Sequence, residues 1–146
     1  MDKEKLSQDL CPRLPYGVRC FFGVDDAVYE ITGINPSACG ASEIQATHVK
    51  SGINGDFSLS SCKPYLFPLS SMTEEQIEEL NKQYIVSIVG DSVTIVRHSA
   101  GYWDNDIECD SNDYIWFINW LYKNHFDVNG LIPLGLAKDA TGLNIY

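Results

Sequence analysis

The sequence predicts an α+β fold. The expected form is a single domain over residues 1–146, with an antiparallel sheet of about five to six strands covered on one face by two to three helices. Three observations predict it. Short runs rich in β-branched and aromatic residues alternate with turn residues through 16–60 and again through 84–98. Two segments, 73–83 and 110–124, carry helical start signals followed by apolar residues at helical spacing. The 146 residues are 45% hydrophobic and 21% charged, enough apolar material for a core and outside the compositional range of a disordered chain.

Residues 3–10 place Leu6 and Leu10 on one face at i,i+4 spacing, which predicts a short amphipathic helix that Pro12 should stop. Strands are expected over 16–22 and 27–34, joined through Gly23-Val24-Asp25-Asp26. Residues 35–42 are a loop by composition. A third strand over 44–49 would put Ile44, Ala46 and His48 on one face, and a fourth would cover 57–60. Segment 63–72 is apolar but holds Pro64 and Pro68, so it reads as an extended, packed connector.

Thr73-Glu74-Glu75-Gln76 has the capping-box spacing, and Met72 and Ile77 stand where a hydrophobic staple belongs. The helix should run over 74–83, with Glu74 and Glu75 at the positive end of its dipole and Ile77 and Leu80 buried. Strands 84–89 and 92–98 flank Gly90-Asp91, a hairpin signal. Asp110 or Ser111 can cap a helix over 112–124, and the tail beyond it reads as irregular, with one helical turn near 135–140.

Ten Lys and Arg against twenty Asp and Glu give a net charge of −10. Such a chain repels phosphate, which argues against binding long nucleic acid or an anionic membrane. No apolar run approaches the ~20 residues needed to span a bilayer. The first ten residues mix both charge signs and have no apolar stretch of the secretory type. Five cysteines (11, 20, 39, 62 and 109) are odd in number and widely spaced, without a Cys-x-x-Cys pair. They read as reduced thiols of a cytoplasmic protein, mostly buried, and not as a disulfide framework or a zinc site.

Four stretches are distinctive together: 10–18 (LCPRLPYGV), 63–76 (KPYLFPLSSMTEEQ), 124–137 (NHFDVNGLIPLGLA) and 139–146. They resemble a group of small proteins of phages and mobile elements of gut bacteria, a group with no known activity. The resemblance covers about a third of the chain. It implies a cytoplasmic accessory role, for which anti-defence is one form, and it carries over no functional residues.

Candidate chemistry starts with the acidic loop. Asp104, Asp106, Glu108 and Asp110 occupy positions 1, 3, 5 and 7 of a calcium-loop template, but Cys109 stands where glycine is needed and Ile115 where the bidentate glutamate should be. The loop therefore reads as a solvated acidic patch, and no metal site or cofactor is assigned. With no Lys or Arg between Arg97 and Lys123, it offers a negative surface to a basic partner. His125 and Asp127 could form a carboxylate–imidazole pair. The alternative is a helix-ending histidine whose cation suits the dipole. No catalytic residue is assigned.

Eight aromatics fall within 102–126, including all three tryptophans. On a helical wheel of 112–124, Tyr114, Ile115, Phe117, Ile118, Leu121 and Tyr122 fall in one broad apolar arc, while Trp116 and Trp120 lie one above the other outside it. Three coverings suit two outward indoles: the chain's own tail over 131–146, a protein interface, or a stacked base.

The reading that follows is a non-enzymatic accessory binding protein that docks on a protein partner with a basic surface. Trp103, Trp116 and Trp120 make the contact, and Asp104, Asp106, Glu108 and Asp110 steer it. The chain could also pair with itself as a homo-oligomer. The alternatives are a protein sequestering a small signalling nucleotide and a small hydrolase using His125 with Asp127 or a thiol.

Overall fold

The structure, a computed structural model, describes residues 2–36, 42–90, 92–97 and 109–146. It is an α+β fold. Six strands form one sheet in the order β4-β3-β2-β1-β5-β8, and two more form a separate hairpin, β6-β7. The strands are β1 (Arg19–Phe21), β2 (Tyr29–Pro36), β3 (Ser42–His48), β4 (Asn54–Ser58), β5 (Lys63–Leu66), β6 (Tyr84–Val89), β7 (Ser92–Arg97) and β8 (Lys138–Asp139). The helices are α1 (Asp2–Leu10), α2 (Glu74–Asn81) and α3 (Ser111–Lys123). No helix among the described residues is long and apolar enough to cross a membrane.

All pairings in the large sheet are antiparallel except the last, where Tyr65 and Leu66 of β5 run parallel to Lys138 and Asp139 of β8. Residues 63–66, expected as a connector, are thus an internal strand. Pro64 has no amide to give, and the ladder to β8 involves only Tyr65 and Leu66, so the proline interrupts nothing on that side. The tail forms β8 where a helical turn was expected near 135–140. Ala140 N–H then donates to Leu66 C=O at 2.8 Å, extending the attachment past the strand. Strand β3 keeps the expected alternation, with Ile44 and Ala46 buried and Glu43 and Gln45 in solvent.

The apolar side chains gather into two cores and not one. The first lies between α1 and the large sheet and contains Leu6, Leu10, Val18, Cys20, Ile31, Ile44 and Leu66. The second lies between α2, α3 and the β6-β7 hairpin and contains Met72, Leu80, Tyr84, Ile95, Phe117, Trp120, Leu121 and Phe126. A two-stranded hairpin is marginal by itself, so the helices packed on its inner face, Tyr84, Val86 and Ile88 with Val93 and Ile95, hold it folded. The expected α+β fold with a six-stranded, largely antiparallel sheet and three helices is present among the described residues, and the β6-β7 hairpin stands apart from that sheet and packs with α2 and α3 around the second core.

The α-helix ends at Leu10, before Pro12, as expected. The chain continues from α1 into a 3-10 helix, Cys11–Tyr16, in which proline occupies an opening position whose missing N–H costs no bond. Helix α2 has the full capping box: Gln76 N–H donates to Thr73 Oγ1 at 3.2 Å, and Thr73 N–H donates to Gln76 Oε1 at 2.9 Å. Met72 and Ile77 both pack into the second core, as the staple requires.

Candidate functional site

Helix α3 is set by its own first residues. Asp110 Oδ1 accepts the Asn112 and Asp113 amides at 2.8 and 3.0 Å, and Asp113 Oδ2 accepts the Asp110 amide at 3.0 Å. Asp113 is buried, and its Oδ1 accepts the Tyr84 hydroxyl at 3.0 Å, which ties the helix start to β6. From this anchor the buried side of the helix is Asp113, Phe117, Trp120 and Leu121.

That side differs from the arc expected from the sequence by about a quarter turn. Trp120, expected to face outward, is only 6% exposed and stacks on Phe126 with ring centroids 6.0 Å apart. Tyr114 and Ile115, expected in the core, are 49% and 60% exposed. The reason is that α3 is apolar around most of its circumference, with Asn112, Asn119 and Lys123 forming one narrow polar stripe, so the wheel alone does not fix which apolar side is buried. The choice is made by partners remote in sequence, Tyr84 on Asp113 and Phe126 on Trp120. The two indoles therefore do not form an outward stacked pair, and what covers Trp120 is Phe126 and the second core.

Trp116 does face outward. It is 41% exposed and leans on the Tyr84 ring at 5.6 Å. A groove of about 440 Å³ runs between β7 and α3, walled by Val93, Thr94, Tyr114, Phe117, Ile118 and Val128. The exposed acids around this unit are Glu74, Glu75, Glu78 and Glu79 on α2, which packs against β6, and Asp110 at the start of α3. Of the residues singled out from the sequence, Trp103, Asp104, Asp106 and Glu108 lie outside the described residues. Asp110 has an oxygen committed to capping, and Trp116 is the one described tryptophan in solvent contact.

A second constellation joins the two cores. Arg13, fully buried in the 3-10 helix, makes a two-point ion pair with buried Asp9, Nε to Oδ2 at 2.7 Å and Nη2 to Oδ1 at 2.9 Å. The same Nη2 donates to Phe126 C=O at 2.7 Å, and the guanidinium lies over the Tyr122 ring at 4.7 Å. Asn129 Nδ2 completes the set by donating to Asp9 Oδ1 at 2.8 Å. Sequence reading missed this group. The i,i+4 spacing of Asp9 and Arg13 was visible, but an exposed helical ion pair has the same spacing.

His125 follows the end of α3 in the left-handed region, at φ 61°. Its ring stacks flat on Tyr146 at 3.6 Å. The Tyr146 hydroxyl donates to Tyr65 C=O at 2.7 Å and accepts the Arg19 amide at 3.1 Å, and Arg19 Nη1 donates to Ile145 C=O. Asp127 does not reach the imidazole: its two oxygens accept the Leu131 and Ile132 amides at 2.8 and 2.9 Å, shaping the following turn. The pairing of His125 with Asp127, weighed as one option from the sequence, is not formed, and neither is the geometry of a hydrolase built on it.

Burial first, and then the Arg13 and Arg19 charges, push the His125 imidazole down from 6.5 to about 4. A helix-ending cation is thereby replaced by a neutral ring. The unfolded chain takes up this proton at higher pH than the folded one. The stability linked to the ring is complete above about pH 6.5 and is lost as pH falls toward 4. The linkage is at most about 3 kcal/mol, less whatever solvent screening removes. We expect the Tm of the wild-type chain to fall more steeply across this window than that of His125→Asn, whose side chain tolerates the left-handed backbone. Parallel profiles would show that the ring does not carry the titration.

No protein-family model matches the chain, and neither the curated proteins nor the solved structures include a significant match.

Proposed function

We propose that the protein is a non-enzymatic cytoplasmic accessory module that docks a basic, apolar segment of a protein partner on the solvent side of α3. One observation carries this reading. A helix apolar around most of its circumference normally turns those side chains inward, yet α3 leaves Tyr114, which lines the groove against β7, and Ile115 and Trp116, which lie outside that groove, in solvent. Aromatic side chains half-exposed over a buried ring, as Trp116 is over Tyr84, are the kind that dominate binding energy at interfaces. The acids of α2 and the start of α3 favour a partner of opposite charge and should speed its encounter at low salt.

Panning a displayed random-peptide library against the immobilised chain tests this. Enriched peptides should carry net positive charge with apolar residues between the charges. Their binding should weaken at least tenfold in Ile115→Ser/Trp116→Ser, with little change in Tm. Enrichment of neutral or acidic peptides, equal binding to the variant, or no enrichment would each reject the reading. So would a large loss of stability in the variant, which would mean that the chain itself covers this face.

A further inference from the structure

We propose that the pocket between the first turn of α1 and the 3-10 turn Leu59–Ser61 binds a small aliphatic anion, a carboxylate head on an acyl chain. The pocket holds about 440 Å³, within the range of small-molecule sites. Its apolar wall is Leu6, Leu59, Cys62 and Leu136, the first three belonging to the buried set of the first core. Lys3, Ser60 and Lys63 complete the lining.

The charge pattern is what distinguishes this cavity. Acids outnumber bases twenty to ten in the chain, yet among the described residues the lining has two ammonium groups and no carboxylate. Both lysines are exposed, and neither has an ion-pair partner among the described residues. Ser60 Oγ is 2.7 Å from Ser58 Oγ, and either hydroxyl can be the donor, so a hydroxyl proton is available on the same side. Compact ammonium charges suit a single carboxylate. The wall also selects the body of the ligand. It contains three leucines and a thiol and no aromatic ring, so it has nothing for a nucleobase to stack on, whereas an acyl chain would be removed from water along its length.

Titration calorimetry with octanoate as the probe, at low salt and neutral pH, tests the assignment. Two controls accompany it: 1-octanol, the uncharged twin, and adenosine monophosphate, an anion with a flat base. Octanoate should bind saturably, and the other two at least tenfold more weakly. Lys3→Gln/Lys63→Gln should weaken octanoate about tenfold, the sum of two exposed charge contacts. Leu136→Trp should block the cavity and abolish binding. Both lysines are at the surface, so their double variant stays folded even where the tryptophan variant does not. Equal binding of octanol and octanoate, tighter binding of the nucleotide, insensitivity to the lysines, or no saturable octanoate binding overturns the proposal. None of these variants touches α3, so the outcome here is independent of the docking reading.

Discussion

Asp9→Ala is expected to destabilise the protein by about 3–5 kcal/mol and to lower Tm by roughly 10 °C. Arg13 has no exposed surface, and Asp9 is the carboxylate that compensates its charge. Removing Asp9 leaves a guanidinium enclosed between the Tyr122 ring and the Phe126 carbonyl, with its Nη1 already lacking a hydrogen-bond partner. It also strips Asn129 of the nearer of its two acceptors, at 2.8 Å, leaving the Tyr122 hydroxyl at 3.4 Å. Asp9→Leu combined with Arg13→Met should be markedly less damaging than Asp9→Ala, because replacing both partners removes the buried charge as well as its compensation. Denaturant and thermal unfolding of the three proteins measure this. A single-variant cost below about 1 kcal/mol would mean that water reaches the pair on unfolding-free motions, and that the joint is not sealed as described.

The second large effect separates the two described tryptophans. Trp120→Ala should cost about 3–5 kcal/mol, the usual range for deleting a buried large aromatic ring, since it empties the place of a ring stacked on Phe126 in the second core. Trp116→Ala should change stability by no more than about 1 kcal/mol, because the ring is partly solvated and rests on one neighbour. Chemical denaturation of both variants decides it. Comparable losses would place both rings in the core, whereas a negligible loss at Trp120 would return it to the surface.

What could be read from the sequence was local. The Thr73–Gln76 box, the staple of Met72 with Ile77, the hairpin around Gly90 and the start of α3 at Asp110 depend on residues within a turn or two of one another, and all stand where expected. Alternation in β3 was equally visible, because a strand with one wet face marks its own inner side. What failed depended on partners far along the chain. Pro64 argued against a strand, but it pairs with Cys20 of β1, and the edge strand β8, which pairs with Tyr65 and Leu66 and not with Pro64, arrives some seventy residues later. Helix α3 is apolar around most of its circumference, and Tyr84 and Phe126 decide which part of it is buried. Asp9 and Arg13 had the spacing of a solvated pair, and their burial follows from Phe126 and Asn129 closing over them. Trp116 is exposed, as its place on the wheel implied, while the neighbouring Tyr114 and Ile115, expected in the core, are exposed as well.

The bond from Arg13 to Phe126 spans 113 positions, and the one from Arg19 to Tyr146 spans 127. Closing loops of that length is entropically unfavourable and slows the step that closes them. During synthesis, α1 with its charged pair therefore stays incompletely satisfied until Phe126 and Asn129 have left the ribosome. Maturation is then governed by this late clasp, and a nascent chain stalled before Phe126 would be a substrate for chaperones or proteases.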